Sequence, residues 1–262
     1  MIVQRVNSER VVLLGWSRAI LMQLAHPLVA AGVMQHSSFR GGAIEAAVRL
    51  HHTVSAMLAI AFGADEQRNA VLARIRAIHR TVNGTLPESV GRFPRGTPYS
   101  AEDPALLLWV QATLVDSSAD IYQRVVAPLT PQELDQLCVE SAPVLEDLGG
   151  DPAMTPRSWA ALQAYLASVI DGGVLALTPE TRALGTAVLS PQAASIPLPL
   201  SGVHRLVAAG LLPPAVRAAY GFPWDADREA RFHRAIRAVR RVRRVAPRFV
   251  ACWRQAPSRI GA

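Results

Sequence analysis

The chain should fold as a single all-α globular domain, and three features of its 262 residues predict this. Apolar residues recur with a helical period nearly throughout. Capping residues followed by proline open helices at Asp103-Pro104, Thr130-Pro131, Thr155-Pro156 and Thr178-Pro179. No alternating run of β-branched residues reaches strand length, and no internal repeat at a fixed period is present.

In order along the chain, Asn7 or Ser8 can cap a helix running to about Leu24, and Pro27 opens a short one after it. Ala43 to Phe62 and Asp65 to Val82 read as two long helices joined by a turn at Gly63. Thr85 to Glu102 is rich in glycine and proline and reads as irregular. The four proline-opened helices then run to about Val126, Leu148, Asp171 and Leu189 in turn. Pro191 to Ser201 reads as a loop or lid between a core of about 8–190 and a C-terminal helical arm of about 199–256.

Composition narrows the chemistry. Half the residues are hydrophobic, so a chain of this length can bury a large core and enclose an apolar cavity. All 27 basic residues are arginine, which excludes Schiff-base lysines, amine nucleophiles and the phosphate-loop lysine. The two cysteines, Cys138 and Cys252, are far apart and lack CxxC spacing, so they read as buried thiols and not as metal ligands or a disulfide framework. The charged N-terminus resembles no secretory signal, and the apolar stretches are short or broken by proline, which leads to the expectation of a soluble, cytoplasmic protein.

Against that apolar background, the polar groups between Gly41 and Gly84 stand out. Arg49, His52 and Thr53 lie at i, i+3 and i+4 on one helical face, and His79 shares a face with Ile75 and Val82. Burying an unsatisfied polar group costs about 1–3 kcal/mol, so these side chains either satisfy one another or line a cavity with an occupant. His51 points away from His52 and reads as a solvent or helix-contact residue. A lone histidine on an apolar face is most often a hydrogen-bonded core residue, whereas two on adjacent helices suit a metal or a haem.

The chain has no HExxH, no glutamate followed three positions later by histidine, no GxSxG, no GxxxxGK[ST] and no GxGxxG. Zinc hydrolase, di-iron bundle, serine hydrolase, P-loop and Rossmann readings therefore have no support. A haem is the best remaining fit to isolated histidines in a helical protein.

Several ordered blocks resemble one family. Leu21-Met22-Gln23-Leu24-Ala25-His26-Pro27-Leu28, then His36-Ser37-Ser38-Phe39-Arg40, is similar to the opening signature of the rubber oxygenase (latex-clearing) and mycophenolic-acid pathway oxygenase family. The similarity continues through Arg49-Leu50-x-x-Thr53, Phe62-Gly63, His79-Arg80-x-Val82-x-Gly84, Tyr99-x-Ala101-x-Asp103-Pro104 and Leu107 to Ser117. Weaker matches at Tyr122, Pro128, Glu133, Glu140 and Leu211-Leu212-Pro213-Pro214 extend it over most of the chain.

What the resemblance implies is a helical domain with a buried pocket for one haem b, whose iron takes His79 as proximal ligand. Arg49 and Thr53 would be the distal arginine and threonine, and His52 falls where some rubber-cleaving members have a lysine on the iron. His52 would then either ligate the iron or stand off and hydrogen-bond dioxygen. Gln111 takes the place of a histidine common in the Trp-Val-His-Ala-Thr motif, and could be a pocket residue or a helix-packing amide, but not a proton shuttle. The implied activity is oxidation of an apolar, isoprenoid-like substrate by dioxygen.

The remaining polar groups read structurally. His26 and His36 should tie helix ends together, Asp103 should be a cap, and one of Asp116 and Asp120, like charges one turn apart, should be solvated or paired with arginine, an arginine partner being expected. Between Asp227 and Arg254 lies the one marked charge cluster, with Arg237, Arg240, Arg241, Arg243, Arg244 and Arg248. It reads as a solvated face paired with acidic groups, without a nucleic-acid docking motif, though weak contact with an anionic membrane is a use for it. Two rivals follow: a haem-binding or sensing protein without turnover, and a cofactor-free helical protein that binds anionic surfaces through this terminus.

Overall fold

The computed structural model describes residues 1–36, 43–189 and 198–256, with the side chains of all of these except 43–50 and 198–200. The described helices are α1 (Ile2–Asn7), α2 (Leu13–Leu24), α3 (Pro27–His36), α4 (Ala43–Phe62), α5 (Asp65–His79), α6 (Pro104–Val125), α7 (Pro131–Asp147), α8 (Trp159–Asp171), α9 (Pro179–Val188), α10 (Leu198–Leu211), α11 (Pro214–Ala219), α12 (Ala226–Val245) and α13 (Arg248–Ala251). A small antiparallel hairpin, β1 (Asn83–Thr85) and β2 (Pro98–Ser100), is the only sheet among the described residues. The fold is all-α, as predicted.

Helices α2 and α6 cross at the centre. Their contact is close enough that a Cβ on Gly15 would lie 2.6 Å from the Ser117 carbonyl oxygen. Around them, Leu21, Met22, Trp109, Ala112, Leu162, Leu166, Ala208 and Tyr220 form one buried cluster. Val6, Ile121, Tyr122, Val125, Val207, Phe232 and Ile236 form a second. Both clusters draw on α10 or α12 as well as α6, so the predicted C-terminal arm packs onto the core.

Charge is buried at the same crossing. Arg18 pairs with Asp116 at 2.5 Å, and it also donates to Ser117 Oγ and to the Leu211 carbonyl at 2.6 and 2.7 Å. Gln163 adds a bond to the same carboxylate at 2.6 Å. Asp120 pairs with Arg124 at 2.8 Å, so both aspartates have arginine partners, where one was expected. Cys138 and Cys252 are buried free thiols.

The sequence reading needs correction at four places. Where one helix is expected from residue 7 or 8, α1 starts at Ile2 and a 3-10 turn at Arg10–Val12 intervenes before α2. Helix α8 is capped by Ser158, which accepts from Ala161 N, and not by Thr155, because Thr155 Oγ1 is engaged by the Asp151 carbonyl. The second long helix ends at His79. Part of the 85–102 stretch is the β1–β2 hairpin, too short to show an alternating pattern. Residues 191–197 of the expected lid lie outside the described residues, and 198–201 already belong to α10.

Among the described residues no single helix is long and apolar enough to cross a membrane. The segments Arg10–Leu24 and Pro27–His36 pass that test only as a pair bent by 102°.

Candidate functional site

Helices α4 and α5 are joined only through Gly63 and Ala64, so they form an antiparallel hairpin. Arg49, His52 and Thr53 lie in the N-terminal half of α4, and His79 is the last residue of α5. The hairpin meets the body where α4 packs on α1 and where Arg68 pairs with Asp147 of α7 at 2.8 Å.

His79 is half-buried, and its Nδ1 is buried with no hydrogen-bond partner among the described residues. Burial lowers its pKa, while the Glu102 carboxylate opposes this, so the imidazole is neutral at pH 7. Glu102 went unnoticed in the sequence because it falls on an unspecified position of the Tyr99-x-Ala101-x-Asp103 block; only the fold brings it to His79.

The turn after α5 is closely tied. Val82 N bonds to the His79 carbonyl at 3.0 Å, and the Val82 carbonyl accepts from Ala101 N at 2.9 Å. Gly84 faces the Tyr99 ring so closely that a Cβ there would lie 2.7 Å from the Tyr99 hydroxyl. His36, at the end of α3, reaches the Asn83 carbonyl with Nε2 at 3.0 Å. The His36, His79 to Gly84 and Tyr99 blocks thus converge on the β1–β2 hairpin.

His26 is buried beneath this layer, 5.6 Å from Phe93 and 6.4 Å from Trp109 between ring centroids. Its Nδ1 accepts from Leu28 N at 3.3 Å, the helix-end role expected of it. Burial lowers its pKa to about 4, with Arg92 acting in the same direction and Asp103 against it. Asp103 caps α6 by accepting from Ala105 N at 2.8 Å.

The other predicted site residues are placed as follows. His52 and Thr53 are exposed on α4, and Thr53 takes part in a further interaction of its own. His51 is also exposed, its ring 6.2 Å from that of His52. Arg49 is on α4, but its side chain lies outside the described ones.

Gln111 is set apart from these: its amide donates to the Ser141 carbonyl on α7 at 3.1 Å. It lines a cavity of about 20 Å³ with Leu108, Ala112, Cys138 and Leu162. Of the two roles open to it, the described contact is the packing one. Thr113 likewise faces α2, where Gln23 donates to its hydroxyl at 3.1 Å. Much of the Leu107 to Ser117 block therefore joins helices together.

No three His, Cys, Asp or Glu side chains among the described residues converge to hold a bare metal ion. A haem asks less of the protein, namely one neutral imidazole and room beside it, and the neutral His79 meets the first of these.

Two relatives are uncharacterised mycobacterial proteins, Mb2261 of Mycobacterium bovis and Rv2237 of Mycobacterium tuberculosis. Each is 25% identical over 233 residues, covering 87% of this chain and 87% of the relative. No solved structure matches. The family model for the catalytic domain of the ER-bound oxygenase mpaB/B'/rubber oxygenase matches residues 3–241, and the chain belongs to that oxygenase family.

Proposed function

We propose that this oxygenase is haem-dependent, holding one haem b through His79 and oxidising an apolar, isoprenoid-like substrate with dioxygen. The observation that carries the reading is His79: a neutral imidazole at the end of a two-helix hairpin, whose buried Nδ1 has no partner among the described residues. When bound, the haem would supply the electron exchange with dioxygen that these side chains alone lack.

The chain's own residues do the rest. His79 holds and orients the group, and the Glu102 charge favours electron donation from its imidazole. Were a haem held there, Arg49, His52 and Thr53 would be the hydrogen-bond donors available to dioxygen; such donors are commonly worth about 3–4 kcal/mol each when well placed. His52 in its neutral form donates through one ring nitrogen only, so it would hold a proton at a fixed atom.

The deciding measurement is the absorption spectrum of the protein expressed with haem supply, beside His79→Ala prepared identically. A Soret band that is lost or shifted in the variant is expected. Two colourless samples after haem reconstitution would overturn the haem assignment.

One observation favours a second reading, in which haem is bound without turnover. Gln111 occupies the motif's histidine position and is engaged by the Ser141 carbonyl, so it relays no proton. That reading predicts the same spectrum with no oxygen consumption on isoprenoid alkenes.

A further inference from the structure

From residue 230 to the end of the chain there is no aspartate or glutamate. Helix α12 carries its three acidic residues' worth of compensation only at its start, where Asp225 and Asp227 stand near Arg228 and where Glu229 pairs with His233 at 2.9 Å. About 100° of rotation per residue puts Phe232, Ile236, Val239 and Arg243 on one side of α12, and that side faces the core. The opposite arc carries Arg234, Arg237, Arg240, Arg241 and Arg244, all exposed and without an acidic partner among the described residues. A solvated face laced with salt bridges is therefore not what this helix presents.

Apolar side chains border the same arc. Val242 and Val245 are 66% and 81% exposed, and Phe249 and Val250 on α13 are 74% and 50% exposed. All four lie beyond the family-matched stretch, whereas Arg234, Arg237, Arg240 and Arg241 lie within it. A groove of about 400 Å³ between α10 and α12, lined by Val203, Leu206, Arg231 and Arg234, continues the mixture of guanidinium and apolar surface.

The patch is held in place from behind. Arg243 is clamped by both carboxylate oxygens of buried Glu9. The following segment bridges to Glu9 at Cys252, Trp253 N bonds to the Ser8 carbonyl at 3.0 Å, and the Arg10 guanidinium lies 4.8 Å over the Trp253 ring. With Ala251 and Cys252 buried by this clasp, Phe249 and Val250 are directed outward next to the arginines.

We propose that the α12–α13 surface docks the protein peripherally on an anionic phospholipid bilayer, the arginines meeting headgroup phosphates while Phe249, Val250 and Val245 enter the interface. Charge complementarity selects a phosphate-rich partner, and the exposed apolar group selects a bilayer over a nucleic acid, whose backbone offers nothing to Phe249. The placement would also suit an enzyme that draws an apolar substrate from a membrane.

The test is co-sedimentation of the full chain with vesicles of phosphatidylcholine alone and of phosphatidylcholine mixed with phosphatidylglycerol, at low and high salt. Binding is expected to the mixed vesicles only and to weaken with salt. Each of Arg237, Arg241 and Arg244 changed to Gln should cost roughly 5-fold, and the triple variant should lose binding. Phe249→Ser should weaken vesicle binding while preserving affinity for a mixed-sequence DNA duplex measured in parallel. Equal binding to both vesicle types overturns the proposal, as does binding that is indifferent to the arginine substitutions. Duplex binding tighter than vesicle binding, with Phe249→Ser silent in both, would assign the surface to nucleic acid instead. Because these four side chains are exposed, far-ultraviolet circular dichroism should be identical across the variants.

Discussion

Single side chains set both the stability and the acid sensitivity of this fold. The Arg18–Asp116 pair is buried on both sides and is cross-braced by Ser117, the Leu211 carbonyl and Gln163. Removing one partner leaves a buried charge alone, so Asp116→Ala should destabilise the protein by about 3–5 kcal/mol, read from denaturant unfolding. His26 makes the second case. Its folded pKa of about 4 lies below its unfolded value of 6.5, so the unfolded chain takes up a proton first as the pH falls. Its contribution is complete above pH 6.5 and is lost as the pH drops toward 4, at a total of about 3 kcal/mol. His79 and His204, both lowered by burial, act in the same direction. Unfolding free energies measured between pH 7 and pH 4 should fall, and His26→Gln should flatten that fall.

Among elements, helix starts were legible in the sequence because caps are local chemistry. Asp103, Thr130 and Thr178 each accept from a backbone N–H of the first turn, as their Xaa-Pro signals predict. Thr155-Pro156 carries the same signal and failed because its hydroxyl is engaged by Asp151, four residues back. The β1–β2 hairpin was hidden for a related reason: strands of three residues have no period to read, and they exist only because α3, Tyr99 and the turn after His79 close on them. The α2–α6 crossing is another tertiary fact that no local pattern shows. Gly15→Ala would drive a methyl against the Ser117 carbonyl and should cost about 1–3 kcal/mol in unfolding experiments, unlike an alanine placed at exposed Gly202, which has open space around it.

At the scale of the molecule, the sequence blocks divide into two groups with different work. Gln23, Thr113, Asp116 and Ser117 hold helices together, whereas Arg49, His52, Thr53 and His79 are carried by α4 and α5. The family was readable because both groups are spelled out in sequence order. The neighbourhood of His79 was not, since Glu102 reaches it only through the β2–α6 connection. If the hairpin carries the haem, substitutions of the first group should lower the unfolding midpoint while leaving the Soret position unchanged, and His79→Ala should do the reverse.

The clasp between the two ends has a mechanical consequence. Arg10 reaches the Cys252 carbonyl across 242 positions of sequence, so the chain is closed into a ring whose fastening sits behind the outward arginines. Clipping the first ten residues would thus slacken a surface formed by the last helices, and proteolysis at one end would be felt at the other.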